Sequence, residues 1–217
     1  MKLNSHALSR DDQQKLIITV VVFHIIGLIG LLLPFTHGLF IMLVPWHLLF
    51  MLAIVCGSHR PTTGSLFAFA GIIYVLAYIA EWVGVNTKDL FGDYRYSDVL
   101  GVKLDGVPLI IGVNWFLLVY STGILLKRAR VRSVIIRVIL GALLLVLLDA
   151  FLEPVAVRYD YWRWDKDIIP FKNYVSWFFV SAVMLAIFEL FKFKKQGVVA
   201  PVFLLVQFLF FIILWIL

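Results

Sequence analysis

Seven stretches of this chain are apolar enough and long enough to cross a bilayer, and little is left over from which a soluble domain could be built. They run from Leu16 to Leu33, Leu39 to Gly57, Gly64 to Trp82, Val107 to Leu126, Ser133 to Phe151, Asn173 to Phe191 and Val198 to Leu217. A spanning helix needs about 20 mostly apolar residues. Pro34 closes the first run, Gly57-Ser58-His59-Arg60-Pro61 closes the second, and Gly197 separates the last two. Arg137, near the start of the fifth, can snorkel to the interface. Of the 217 residues 63% are hydrophobic, against about half in a soluble domain. The expectation is an all-α integral membrane protein, a bundle of about seven helices forming one domain over residues 1–217. No small-residue cleavage site follows the first apolar run, which reads as a retained helix and not a signal peptide. The single Cys56 excludes a disulfide framework.

The net charge of +6 is spread over the connections, a pattern of membrane orientation and not of nucleic-acid binding. With the N-terminus inside, the inner side holds Lys2, Arg10, Lys15, Arg60, Lys127, Arg128, Arg130, Arg132, Lys192, Lys194 and Lys195. The outer side then holds Lys88, Arg95, Lys103, Arg158, Arg163, Lys166 and Lys172. The excess of basic residues favours a cytoplasmic N-terminus in the cell's inner or plasma membrane. The two long connections follow the third and fifth helices. Two helix crossings separate them, so they lie on the same membrane face in either orientation.

Four carboxylates fall where lipid is expected: Glu81, Asp149, Glu153 and Glu189. A charge inside a bilayer costs several kcal/mol or more unless it is paired, protonated or wet. Asp149 and Glu153 are four residues apart and share a helix face. Pro154 predicts that the fifth helix ends near Glu153, leaving Asp149 roughly 6 Å deeper. Burial and a neighbouring like charge both disfavour ionisation, so one of this pair is expected to hold a proton at neutral pH. The alternative is that Arg158, Arg163 or Arg95 pairs with them and the cluster only fastens loops. Glu81 precedes Trp82-Val83-Gly84-Val85-Asn86-Thr87 and could equally be an interfacial carboxylate under a tryptophan belt. Glu189 lies toward the opposite face beside Lys192, Lys194 and Lys195, and is expected to pair with one of them.

The first long connection reads FGDYRYSDVLGVKLDGVP. Tyr94 and Tyr96 alternate with Asp93 and Arg95 as in a short strand, and a hairpin or re-entrant cap over the bundle mouth would fit. The second reads EPVAVRYDYWRWDKDIIPFKNYVSWF and concentrates Tyr159, Tyr161, Trp162, Trp164, Tyr174 and Trp177. It suits either an aromatic belt or a π-lined pocket that stabilises a cation. His24 and His47 fall mid-span and read as helix–helix hydrogen-bond partners, since no third metal ligand is evident. Asn114, mid-span in the fourth helix, could do the same or line a cavity. There is no zinc spacing, phosphate loop, nucleophile elbow or nucleotide fingerprint.

The stretches EWVGVNTKDLFGDYRYSDVLGVKLDGVPLIIGVNW and LDAFLEPVAVRYDYWRWDKDIIPFKNYVSWF resemble the two signature blocks of the membrane carotenoid biosynthesis protein family. Its characterised members are carotenoid 1,2-hydratases. Glu81, Gly84, Thr87, Phe91, Gly92, Tyr94, Tyr96, Leu100, Gly101, Gly106, Val107, Pro108, Leu109 and Trp115 match the first block. Asp149, Pro154, Trp162, Trp164, Ile169, Pro170, Asn173 and Trp177 match the second. The chain departs from the pattern at Lys88-Asp89-Leu90, where a Gly and a Pro are expected, and at Gly112-Val113-Asn114, where a Pro and small apolar residues are expected. The resemblance implies that the protein adds water to the terminal double bond of a carotenoid, giving a tertiary alcohol.

Hydrating such an alkene needs a proton donor, support for a tertiary carbocation, and water. The expectation is that protonated Asp149 is the acid, tuned by Glu153, and that Glu81 orients or deprotonates the attacking water. Tyr94, Tyr96, Asn114, Trp115, Trp162, Trp164, Asn173 and Trp177 would surround the substrate. No cofactor or metal is required, because nothing is oxidised or reduced. The expected partners are a carotenoid or other long isoprenoid and membrane lipid. Rival classes are an end-group cyclase or isomerase, which would use the same cation, and a proton-coupled transporter, which would place its carboxylates nearer the midplane. The usual form of a retinal photoreceptor is excluded, since the last helix has no Lys for a Schiff base.

Overall fold

On the peripheral helices of this protein many large apolar side chains face outward. Ile18, Phe67, Val75, Ile135, Phe179, Val183 and Leu205 are all exposed, as lipid-facing positions must be. The computed structural model describes residues 8–217; Lys2, counted above with the inner side, lies outside them. Among the described residues seven α-helices are present: α1 Arg10–Leu32, α2 His37–Ser58, α3 Gly64–Thr87, α4 Ile111–Arg128, α5 Val134–Arg158, α6 Phe171–Leu190 and α7 Val199–Ile216. All but α4 are long and apolar enough to span a membrane.

α4 is the exception because it is the centre of the bundle. It packs against α2, α3, α5, α6 and α7, and from Trp115 to Ile124 every side chain is buried. A helix surrounded by helices meets little lipid, so it can carry Ser121, Thr122 and Asn114 without the hydropathy a peripheral span needs.

Several helix ends differ from expectation. α1 begins at Arg10, six residues before the apolar run. The Ser9 side chain accepts from the Asp12 backbone N–H, and Asp11 and Asp12 complement the helix N-terminus. α3 continues to Thr87, so Glu81 lies well inside it and not at its end. α4 starts at Ile111, because Val107 and Pro108 belong to a strand; Asn114 therefore sits in its first turn and not mid-span. The main correction concerns α5, which runs through Pro154 to Arg158. Proline removes one N–H and crowds one carbonyl of the preceding turn. One turn from the helix end that cost is tolerated, because Val155 and Ala156 are fully buried in the core and the Tyr159 and Tyr161 N–H groups cap the Val155 and Ala156 carbonyls.

Glu189 also differs. Its carboxylate is held by the Arg137 fork, with Nε 2.8 Å from Oε1 and Nη2 2.7 Å from Oε2, and Lys127 stands 3.6 Å away. Lys192, Lys194 and Lys195 form no ion pair with it among the described residues. α6 stops at Leu190 and the chain turns away through Lys192 at φ 47°. The planar guanidinium of α5 takes the bidentate position instead.

The two long connections meet on one face. β1 (Tyr94–Tyr96) from the first pairs antiparallel with β4 (Trp162–Trp164) from the second, in the register Tyr94↔Trp164, Arg95↔Arg163, Tyr96↔Trp162. The Asp165 N–H to Asp93 C=O bond (2.8 Å) and the Ser97 N–H to Tyr161 C=O bond (3.1 Å) extend this ladder at both ends. A separate short hairpin joins β2 (Lys103–Leu104) to β3 (Val107–Pro108). The expected strand at Tyr94 is thus present, but its partner comes from the other connection, and the two together form a lid across the bundle mouth. Directly opposed residues have Cβ atoms about 4.5–5.5 Å apart, near the reach of a disulfide. Arg95→Cys with Arg163→Cys should therefore form an intrachain bridge under mild oxidation, seen as a mobility shift on a non-reducing gel. No bridge would contradict this register.

Candidate active site

Side chains alternate across a strand, and the lid uses both faces. Arg95 and Arg163 point to water, while Tyr94, Tyr96, Trp162 and Trp164 point down into the bundle and are buried. These four aromatics bring their polar tips to two carboxylates. The Tyr94 and Tyr96 hydroxyls donate to Glu81 Oε2 at 2.6 and 2.8 Å. Trp115 Nε1 of α4 donates to Glu81 Oε1 at 2.9 Å. Trp162 and Trp164 Nε1 donate to Glu153 Oε2 at 2.9 and 2.8 Å. β1 thus serves the carboxylate of α3, and β4 serves that of α5.

Asn173, in the first turn of α6, links the third carboxylate. Its Nδ2 lies 2.8 Å from Asp149 Oδ2 and 3.2 Å from Glu153 Oε1, so its two N–H bonds can serve one oxygen of each. Asp149 Oδ1 accepts no hydrogen bond among the described residues. Asp149, Glu153 and Glu81 are 0%, 2% and 4% exposed. None of the five ion pairs among the described residues reaches them. Arg158 donates instead to the Leu214 carbonyl and Arg163 to Asp160. The alternative in which arginines neutralise the cluster is not what the geometry contains; neutral N–H and O–H donors hold it.

Glu81 and Glu153 both line a cavity of about 20 Å³, room for about one water molecule. All eight residues expected around the substrate line it with them: Tyr94, Tyr96, Asn114, Trp115, Trp162, Trp164, Asn173 and Trp177. Trp115 and Trp177 stack with ring centres 4.1 Å apart and planes 22° from parallel. Asp149 does not line the cavity; it sits behind Glu153, joined to it through Asn173. Phe91, Ile111 and Leu152 complete the wall. Sequence reasoning did not place Ile111 or Leu152, because an apolar residue in an apolar run carries no signal of its own. Burial and the adjacent Glu81 hold the Tyr94 and Tyr96 hydroxyls well above the ordinary tyrosine range, so both remain O–H donors at physiological pH.

The lid reaches Glu81 only because Gly84 is a glycine. It sits three residues on, on the same helix face, and a Cβ there would lie 2.6 Å from the Phe91 ring and 2.7 Å from the Tyr94 hydroxyl. Gly92 answers a second demand: its φ is +130°, and a Cβ would lie 2.7 Å from Pro170, at the start of α6. Ser176 of α6 also donates to the Leu90 carbonyl, fastening the first connection to the helix that carries Asn173.

Fold and site together define an integral membrane protein whose buried carboxylates are enclosed under an aromatic lid at one membrane face. The chain belongs to the carotenoid biosynthesis protein family, whose profile matches residues 37–217. A bisanhydrobacterioruberin hydratase from Haloarcula japonica is 30% identical over 150 residues, covering 64% of this chain and 51% of that protein. The chain thus spans about half the length of that curated relative. No solved structure matches it.

Gly84→Ala should push Phe91 and Tyr94 off Glu81. Overpacking of this kind costs about 1–3 kcal/mol, to be read as a lowered melting temperature in detergent. An unchanged melting temperature would mean that the lid does not seat against Gly84.

Proposed function

We propose that this protein is a carotenoid hydratase, adding water to the terminal double bond of an acyclic end group without a cofactor. The observation that carries the reading is a cavity sized for one water molecule, walled by two glutamates and by aromatic rings, in a member of the carotenoid biosynthesis family. The Haloarcula relative, a hydratase, supports the same reaction class.

Glu153, the member of the Asp149–Glu153 pair that faces the cavity, delivers the proton, and Asp149 behind it shares that proton through the Asn173 bridge. The proton adds to the less substituted alkene carbon and leaves a tertiary cation. Water attacks the cation, and Glu81, held by three donors, takes the proton that the attacking water loses. The sum is alkene plus water giving a tertiary alcohol; the proton on Glu81 returns to the pair through water before the next turnover. The aromatic ring faces around the cavity stabilise the cation. An enzyme that turned the same cation into a ring would have to exclude water from its site, and a water-sized space between two carboxyls favours hydration over cyclisation.

A C40 polyene is about as long as the hydrocarbon core is thick, roughly 30 Å, so its end group reaches the membrane face where the lid stands. With the N-terminus inside, as the basic residues favour, that face is the outer one.

In cells making lycopene or γ-carotene, expression of the chain should yield hydroxylated pigments. Glu81→Gln, Glu153→Gln and Asp149→Asn should each cut product by about 10²-fold or more, the range of general acid–base catalysis, while the proteins remain inserted. Absence of any hydroxylated product from an acyclic-ended carotenoid would contradict the reading. Full activity in Asp149→Asn would remove that residue from the proton pair.

A further inference from the structure

A second cavity of about 370 Å³ lies between α1, α2 and α7, and four residues line both it and the carboxylate cavity: Ile111, Asn114, Leu152 and Trp162. Its wall is overwhelmingly apolar. At its outer edge Phe23, Leu43, Trp46 and Phe50 are 42%, 41%, 68% and 37% exposed, on helix faces that meet lipid. The cavity is therefore open sideways to the bilayer and adjoins the carboxylate cavity at one end, with those four residues between the two. Along α2 it extends from Phe40 to Phe50, a rise of about 15 Å, half the thickness of the hydrocarbon core.

At the level of Phe23 and Phe50, near the middle of the spans, three polar side chains tie its walls together. His24 Nδ1 lies 2.7 Å from the Val20 carbonyl, which can only accept, so Nδ1 carries the hydrogen and Nε2 is an acceptor. Gln207 Nε2 donates to His24 Nε2 at 3.0 Å, and His47 Nε2 stands 3.5 Å from the same atom. This cluster joins α1, α7 and α2 by side-chain contacts and sets how far apart the walls stand.

We propose that this groove is the binding site for one half of an isoprenoid chain, which slides in from the lipid between α1 and α2 and presents its terminal double bond at Asn114 and Trp162. The proposal rests on the reading that the reacting end is held beside Glu81 and Glu153. It adds that the protein grips only the reacting half and leaves the rest of the chain in lipid near mid-membrane. An isoprenoid suits the groove because its rigid, methyl-branched chain matches a wall tied at three helices, and because the groove ends beside the cavity that Glu81 and Glu153 line.

The test is lycopene binding to the protein in nanodiscs, read by quenching of tryptophan fluorescence, since Trp46 and Trp162 line the groove. Val44→Phe and Gly27→Leu fill it without touching the carboxylates. Each should weaken lycopene binding about tenfold or more, the equivalent of roughly 1.4 kcal/mol, whereas Met42→Phe, on the lipid face, should leave it unchanged. Should the filled variants fold poorly, a second measurement keeps the question open to decision. Val44→Cys in a Cys56→Ser background should react with a lipid-soluble maleimide, and lycopene should slow that reaction while leaving Met42→Cys unaffected. Wild-type affinity in folded Val44→Phe and Gly27→Leu, or no protection of Val44→Cys, would overturn the proposal. Displacement of lycopene by an equal concentration of a saturated fatty acid would also overturn it, since the groove would then be a general acyl-chain site. These are binding readouts. Lycopene bound in the groove but never hydrated would defeat the hydratase reading and leave the groove standing.

Discussion

The structure depends on keeping three carboxyl groups out of water with no cation paired to them among the described residues. The effective penalty for burying an ion is several kcal/mol, and hydrogen bonds to a charged group contribute about 1.5–3 kcal/mol each. Three donors on Glu81 are therefore of the right size to offset its burial. Glu153 has three as well, from Trp162, Trp164 and Asn173. Asp149 has one. Neutral donors are thus shared equally between the two glutamates that line the cavity, and the aspartate behind them has a single one.

Every one of those donors except Trp115 and Asn173 comes from the lid, and the lid exists only as a pair of strands drawn from two connections. β1 alone would be three residues of exposed tyrosine and arginine; β4 alone would be no better. Paired in register, they put four aromatic side chains on the bundle side and two arginines on the water side. Gly84 and Gly92 then let this layer settle against α3 and α6. The consequence is a carboxylate cavity enclosed under the lid, with a lipid-facing apolar cavity beside it.

Much of this was legible in the chain. Apolar run length fixed the helices, since a bilayer imposes one length on every span, and even α4 was found despite its lower hydropathy. The spacing of helices put both connections on one face. The alternation around Tyr94 marked a strand, and the aromatic, acidic and asparagine residues that line the cavity could be named individually. What could not be read depends on contacts distant in sequence. The partner of β1 lies in the other connection, and no local pattern in either segment specifies that pairing. Pro154 reads locally as a stop, and only the burial of Val155 and Ala156 carries α5 past it. Glu189 has three lysines close in sequence and an arginine close in space, and geometry chose the arginine. The groove beside the site is built from ordinary apolar residues on three helices, invisible until the helices are packed.

In the proposed reaction, water enters the product from the cavity between Glu81 and Glu153. The most direct test is to incubate the purified protein in nanodiscs with an acyclic-ended carotenoid in water labelled with heavy oxygen, under air and without it, and to weigh the product. The expected product is a tertiary alcohol carrying the heavy oxygen in the same yield with or without air, and reduced by about 10²-fold or more in Glu153→Gln. A ring product without oxygen, or an alcohol whose oxygen comes from air, would contradict it.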